Sequence, residues 1–181
     1  MDITQYVNVK KKIGASGKST IFKNLRKSKG DVICDLSTIE ETANAVRSNL
    51  VQYMVKMLIK SQQIYDMDKE ANKGCLIPDE PKTLDYARIV LKYGQHNFAD
   101  DTLAANTDIE ELGTAIDYLW KVSAIQETFK RRGLLYSFPD NLEFFYDKCL
   151  TVMSTKYAPT EEDVIKARVR TTGKVLRNLF L

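Results

Sequence analysis

Two short stretches of this chain carry residue types arranged for phosphate chemistry. The first is Gly17-Lys18-Ser19-Thr20. It follows residues 6–12, an alternating run that predicts one short strand, and precedes Ile21-Phe22-Lys23-Asn24-Leu25, whose apolar spacing suits a helix. Glycines let backbone N–H groups turn inward around an anion, and a helix N-terminus adds partial positive charge. In such a loop the lysine reaches the β- and γ-phosphates and the Ser19 hydroxyl suits Mg²⁺. The complete pattern is G-x-x-x-x-G-K-[ST], and its first position is Lys12 here. A chance G-K-S in a basic loop therefore stands beside the phosphate-loop reading. The second stretch is Arg168-Val169-Arg170-Thr171-Thr172-Gly173. In isolation it is a basic turn, with arginines meeting the negative end of the helix before it.

The elements that must position these residues are helical. From residue 38 onward apolar residues recur at helical spacing, beginning with Ala45, Val46, Leu50, Tyr53, Met54, Met57, Leu58 and Ile64. Thr38 and Glu41 stand at capping-box spacing, so one long amphipathic helix is expected to about Tyr65. Residues 66–82, with Gly74, Pro78 and Pro81, read as a loop. Helical patterns resume at 83–93, 108–120, 123–132, 139–153 and 160–167. Their start signals are Thr83, Thr107, Ser123, Pro139 with Asp140, and Pro159-Thr160-Glu161-Glu162-Asp163. The expected fold class is all-α: about six helices, one of them long and central, with a short strand and phosphate-loop lead-in.

Composition narrows the classes further. With 181 residues, 44% of them hydrophobic, the chain buries a core without staples and is neither fibrous nor disordered. Its net charge of +3 is too weak to imply nucleic acid, and the basic runs at 10–12 and 23–29 lack interleaved aromatics. Cys34, Cys75 and Cys149 are far apart and unpaired in sequence, which reads as reduced thiols in a cytosolic protein. The single histidine, His96, lies in a polar segment and excludes a multi-histidine metal site. Trp120, Phe129, Tyr136, Phe138, Phe144, Phe145 and Tyr146 are expected to pack the core. No apolar run reaches the ~20 residues of a membrane span, and Asp2 stands where myristoylation requires glycine.

Taken in order, these segments resemble the α subunit of heterotrimeric G proteins. Gly17 to Lys23 resembles that family's phosphate loop and first helix. Leu119-Trp120-Lys121, residues 124–128, Tyr157-Ala158-Pro159-Thr160 with residues 161–164, and residues 168–173 resemble successive markers of its inserted helical domain and the start of switch I. The resemblance implies three parts: residues 1–30 as a partial Ras-like GTPase segment, 31–167 as the all-helical domain that closes over the nucleotide as a lid, and 168–181 as partial switch I and a tail.

It also implies a ligand set. Ala15, Ser16, Gly17, Lys18, Ser19 and Thr20 would line the phosphates, and Ser19 and Thr171 would ligate Mg²⁺ beside GTP or GDP. Asp140 and Asn141 match positions at the nucleotide's edge, and Ile165, Lys166, Ala167 and Arg168 match the strip next to it. Arg168 matches the catalytic arginine finger that neutralises the transferring γ-phosphoryl. Implied partners are guanine nucleotide, a βγ dimer and a receptor, at the cytoplasmic face of the plasma membrane, with no integral membrane segment of the chain's own.

The chain departs from the family at Lys12, where the loop has glycine, and at Ala15, where a glutamate pairs with the finger. The D-x-x-G of switch II and the N-K-x-D that reads guanine do not occur after Gly173. The expectation is a fragment-like α subunit, whose 181 residues bind GTP weakly or not at all by themselves and hydrolyse it negligibly. Two competitors follow: a non-enzymatic helical interaction module that no longer handles nucleotide, and an unrelated P-loop phosphotransferase. The all-α pattern after residue 38 counts against the latter.

Overall fold

A computed structural model of the chain describes residues 36–94, 108–135, 138–139 and 141–167. The expected strand at 6–12, the phosphate loop and the helix after it lie outside these residues, as do His96, Tyr136, Asp140, Arg168 and Thr171.

The first helix, α1 (Leu36–Met67), is 32 residues long and about 48 Å at 1.5 Å per residue. It buries Ala43, Val46, Leu50, Met54, Met57 and Ile64 on one face and Val51 and Leu58 beside them. A helix apolar over so wide an arc needs neighbours on several sides, and helices from the rest of the chain pack around it. Its C-terminal end is closed by Asn72, whose Nδ2 donates to the Ile64 carbonyl at 2.8 Å. A single 3-10 turn (Lys73–Cys75) follows, with Cys75 fully buried.

Next come α2 (Pro81–Gly94), α3 (Ile109–Lys121), α4 (Ser123–Lys130), α5 (Arg132–Leu135), α6 (Leu142–Asp147), α7 (Cys149–Val152) and α8 (Glu161–Lys166). No strand occurs among the described residues, as the all-α expectation required. The helix α3 begins where the Asp108 carboxylate accepts from the N–H groups of Glu110 and Glu111. It packs on α2 through Tyr86 and Tyr118, whose rings are 5.0 Å apart.

The boundaries depart from expectation where local patterns compete. Thr38 falls inside α1 and is not its cap, because the helix begins two residues earlier. Pro81, not Thr83, opens α2, as proline suits a first helical turn. The run expected as one helix over 139–153 is two short ones, separated at Lys148 (φ −115°, ψ 29°). Likewise Arg131 separates α4 from α5. Apolar spacing continues across both breaks, so periodicity alone does not reveal them.

The aromatic residues form the centre of the core. Trp120 stacks on Tyr146 with centroids 4.6 Å apart and meets Phe129 edge-on at 5.2 Å. Phe138 joins Phe129 to Tyr53, each ring pair at 4.9 Å. The polar tips are satisfied: Tyr146 Oη donates to the Leu50 carbonyl at 2.8 Å, and the Trp120 indole N–H donates to Asp147 at 3.0 Å. Phe144 is half-buried and packs against the edge of this core, where it also meets two lysines described next.

Candidate functional site

The sequence-predicted site residues within the described chain are Asn141, Ile165, Lys166 and Ala167. The other predicted positions, Ala15 to Thr20, Asp140, Arg168 and Thr171, lie outside it.

Local chemistry builds α8 first. Thr160 has extended backbone (φ −77°, ψ 167°) and its hydroxyl accepts from the Asp163 N–H, while the Asp163 carboxylate accepts from the Thr160 N–H. This reciprocal capping box satisfies two donors that a helix start leaves open. Asp163 is 1% exposed, so its carboxylate needs more than one partner. Tyr157 Oη donates to Oδ2 at 3.0 Å, and the Lys148 ammonium pairs with Oδ1. Burial works against the charged form, but Lys148, the Thr160 N–H and Tyr157 together outweigh it and hold the carboxyl below the usual carboxylate range. The Tyr157 phenol is pushed upward, mainly by burial and then by the Asp163 carboxylate it serves.

The central helix supports the segment leading into this cap. Arg47 donates from Nε to the Val152 carbonyl at 3.0 Å and from Nη2 to the Ser154 carbonyl at 2.7 Å. Its guanidinium lies 5.7 Å from the Tyr157 ring centroid. Partial burial lowers its pKa, and a guanidinium stays charged regardless.

At the far end of α8, two distant parts of the predicted strip meet. Asn141 stands at the N-cap position of α6, but instead of capping that helix its Nδ2 donates to the Lys166 carbonyl at 3.3 Å. Ala167 is buried and its N–H donates to the Asp163 carbonyl at 2.7 Å. Lys166 pairs with Glu162 at 2.8 Å and sets its ammonium 3.8 Å from the Phe144 centroid. Lys148 lies 4.1 Å from the same ring. Asn141 and residues 165–167 thus form one edge, at the point where the chain passes on to residue 168.

Sequence reading missed Lys148, Tyr157 and Arg47 as members of this arrangement, and saw in Asp163 only helix-start charge. The spacing Thr160-x-x-Asp163 was a usable signal for the cap. Nothing local marked Lys148, because its role depends on the break between α6 and α7.

Elsewhere, a cavity of about 360 Å³ is lined by Asp117, Trp120, Lys121, Gln126, Tyr146 and Asp147. Among the described residues no group of three or more His, Cys, Asp or Glu side chains is placed to hold a metal ion. Cys149 is buried, and burial pushes its thiol up to about 12, which makes it a poor nucleophile. No helix among the described residues is long and apolar enough to cross a membrane.

Comparison with known proteins identifies the family. Residues 13–179 match a family model described as "G-protein alpha subunit". The chain is 32% identical over 162 residues to the guanine nucleotide-binding protein alpha-2 subunit of Glycine max, covering 90% of this chain and 39% of the relative. It is 30% identical over 161 residues to a guanine nucleotide-binding protein subunit alpha of Cryphonectria parasitica, covering 88% and 40%. It is 31% identical over 172 residues to the alpha-1 subunit of Pisum sativum, covering 90% and 39%. The chain spans about two fifths of the length of the curated relatives it matches.

Proposed function

Because the chain belongs to the G-protein α-subunit family, we propose that it is a guanine-nucleotide-binding signal transducer whose helical body closes over the nucleotide as a lid. Residues 31–167 form that body, residues 1–30 supply the phosphate loop, and residues 168–181 begin switch I. Ala15 to Thr20 cradle the phosphates through backbone N–H groups and Lys18. Ser19 and Thr171 offer hydroxyl oxygens, the hard donors that Mg²⁺ prefers. The ion, when bound, neutralises phosphate charge. Asp140 and Asn141 border the nucleotide's edge, and Ile165 to Arg168 form the strip next to it. Arg168 supplies a planar, permanently charged guanidinium for the γ-phosphoryl oxygens. By the same reading, its partners are a βγ dimer and a receptor at the cytoplasmic membrane face.

What supports this reading within the fold is the bond from Asn141 Nδ2 to the Lys166 carbonyl, which joins positions 25 residues apart into one edge.

The test is a thermal-shift titration of the purified chain with GTP, GDP and ATP, each with and without Mg²⁺. The proposal expects a Mg²⁺-dependent rise in Tm, small and confined to guanine nucleotides. A cooperative melt that no nucleotide moves overturns it for these 181 residues. That outcome favours a second reading, a helical interaction module that acts without nucleotide. The observation behind the alternative is that one continuous core, from Val46 to Ala167, encloses its own aromatic centre.

A further inference from the structure

We infer that Lys148 is a positioning residue, which through Asp163 and Phe144 locks α8 against α6 and so sets the place of the strip Ile165–Ala167 beside Asn141. The inference rests on the reading above for the meaning of that strip, and on separate geometry for the lock itself.

The lock has three points, on α6 and at the residues that flank it. Lys148 occupies the break, where the chain leaves helical geometry (φ −115°, ψ 29°). Its ammonium pairs with Asp163, in the first turn of α8, and lies 4.1 Å from the Phe144 centroid. Lys166, in the last turn of α8, approaches the same ring at 3.8 Å. At the N-terminal end of α6, Asn141 holds the Lys166 carbonyl. One ring therefore receives cations from both helices, and a ring face attracts a cation most where water is excluded. Two ammoniums on one ring would repel each other, but each has its own carboxylate, Asp163 for Lys148 and Glu162 for Lys166.

The charge distribution makes Lys148 the decisive member. Asp163 is 1% exposed at its side chain, against 27% for Lys148 and 62% for Glu162. The Lys166–Glu162 pair is largely solvated and weak. The Lys148–Asp163 pair is the one whose loss leaves a carboxylate buried without its cation. With six residues, α8 is too short to hold itself, so its position is decided by contacts outside it, these together with the packing of its buried Val164 face on α1.

Amide hydrogen exchange of the full chain, together with Mg²⁺–GDP titration, tests the inference in Lys148→Met and Lys148→Arg. The amides to follow are Val164, which donates to Thr160, and Ala167, which donates to Asp163. Lys148→Met is expected to speed their exchange roughly tenfold while amides in α3 stay within about twofold, and Lys148→Arg to restore protection. An even acceleration across the chain, no acceleration at 164 and 167, or failure of arginine to rescue each overturns the inference. Should Lys148→Met fail to fold, Lys148→Gln, which keeps a donor but removes the charge, must speed exchange at the same two amides while those in α3 stay within about twofold, and no acceleration there overturns the inference. Where the wild-type chain binds Mg²⁺–GDP, Lys148→Met is expected to raise Kd about tenfold and Lys148→Arg to leave it near wild type. An unchanged Kd in Lys148→Met overturns the positioning role. A wild-type chain with no nucleotide response overturns the proposed function alone, and the exchange pattern then decides the lock.

Discussion

Asp163 concentrates the chemistry of the α6–α8 edge in one side chain. A carboxyl held below its usual range stabilises the fold at pH values above its unfolded-state pKa, near 3.9. That contribution disappears as pH falls through the lower folded-state value, because the unfolded chain takes up the proton first. Stability of the wild-type chain is therefore expected to fall on the acid side of about pH 4, and Asp163→Asn to lose the part of that slope due to this group. At neutral pH the same substitution is expected to cost about 2–3 kcal/mol, since Lys148 keeps partial access to water. Urea unfolding across a pH series measures both, and an unaltered acid slope in Asp163→Asn would sink the assignment. Thr160 and Asp163 were legible as a helix start from their spacing. That Asp163 also binds Lys148 and Tyr157 was not, because those partners lie 15 and 6 residues away across breaks in the helices.

Between elements, α3 passes close to the residue that follows α7. A Cβ built on Gly113 would sit 2.4 Å from Met153 Cβ, a distance that atoms do not share. Gly113→Ala should cost about 1–3 kcal/mol by overpacking. Gly133, in α5, has nothing within 4 Å of its would-be Cβ. Gly133→Ala should be neutral or gain about 0.5 kcal/mol from helix propensity. Urea midpoints of the two variants, compared side by side, decide whether contact or propensity governs glycine here. Equal costs would refute the contact argument. The helices themselves were largely readable from apolar periodicity, α1 above all. Their interruptions at Arg131 and Lys148 were not, because the same apolar spacing serves a continuous helix and two short ones that turn around a shared core.

At the scale of the molecule, one core runs from α1 through the aromatic centre to Ala167. The single tryptophan, Trp120, is 5% exposed in the middle of it. Unfolding followed by Trp120 fluorescence and by far-ultraviolet dichroism should therefore give coincident transitions. A fluorescence change that precedes loss of helix would mean that the core opens in parts. Helical class, the long central helix, the aromatic core and family membership were all determined by the sequence, because periodicity, capping spacing and ordered motifs are local or linear properties. The meeting of Asn141 with Lys166, the pairing of Lys148 with Asp163 and the support of Val152 and Ser154 by Arg47 were decided only by tertiary structure. Each joins residues that the chain separates, and only packing around α1 brings them within hydrogen-bonding distance.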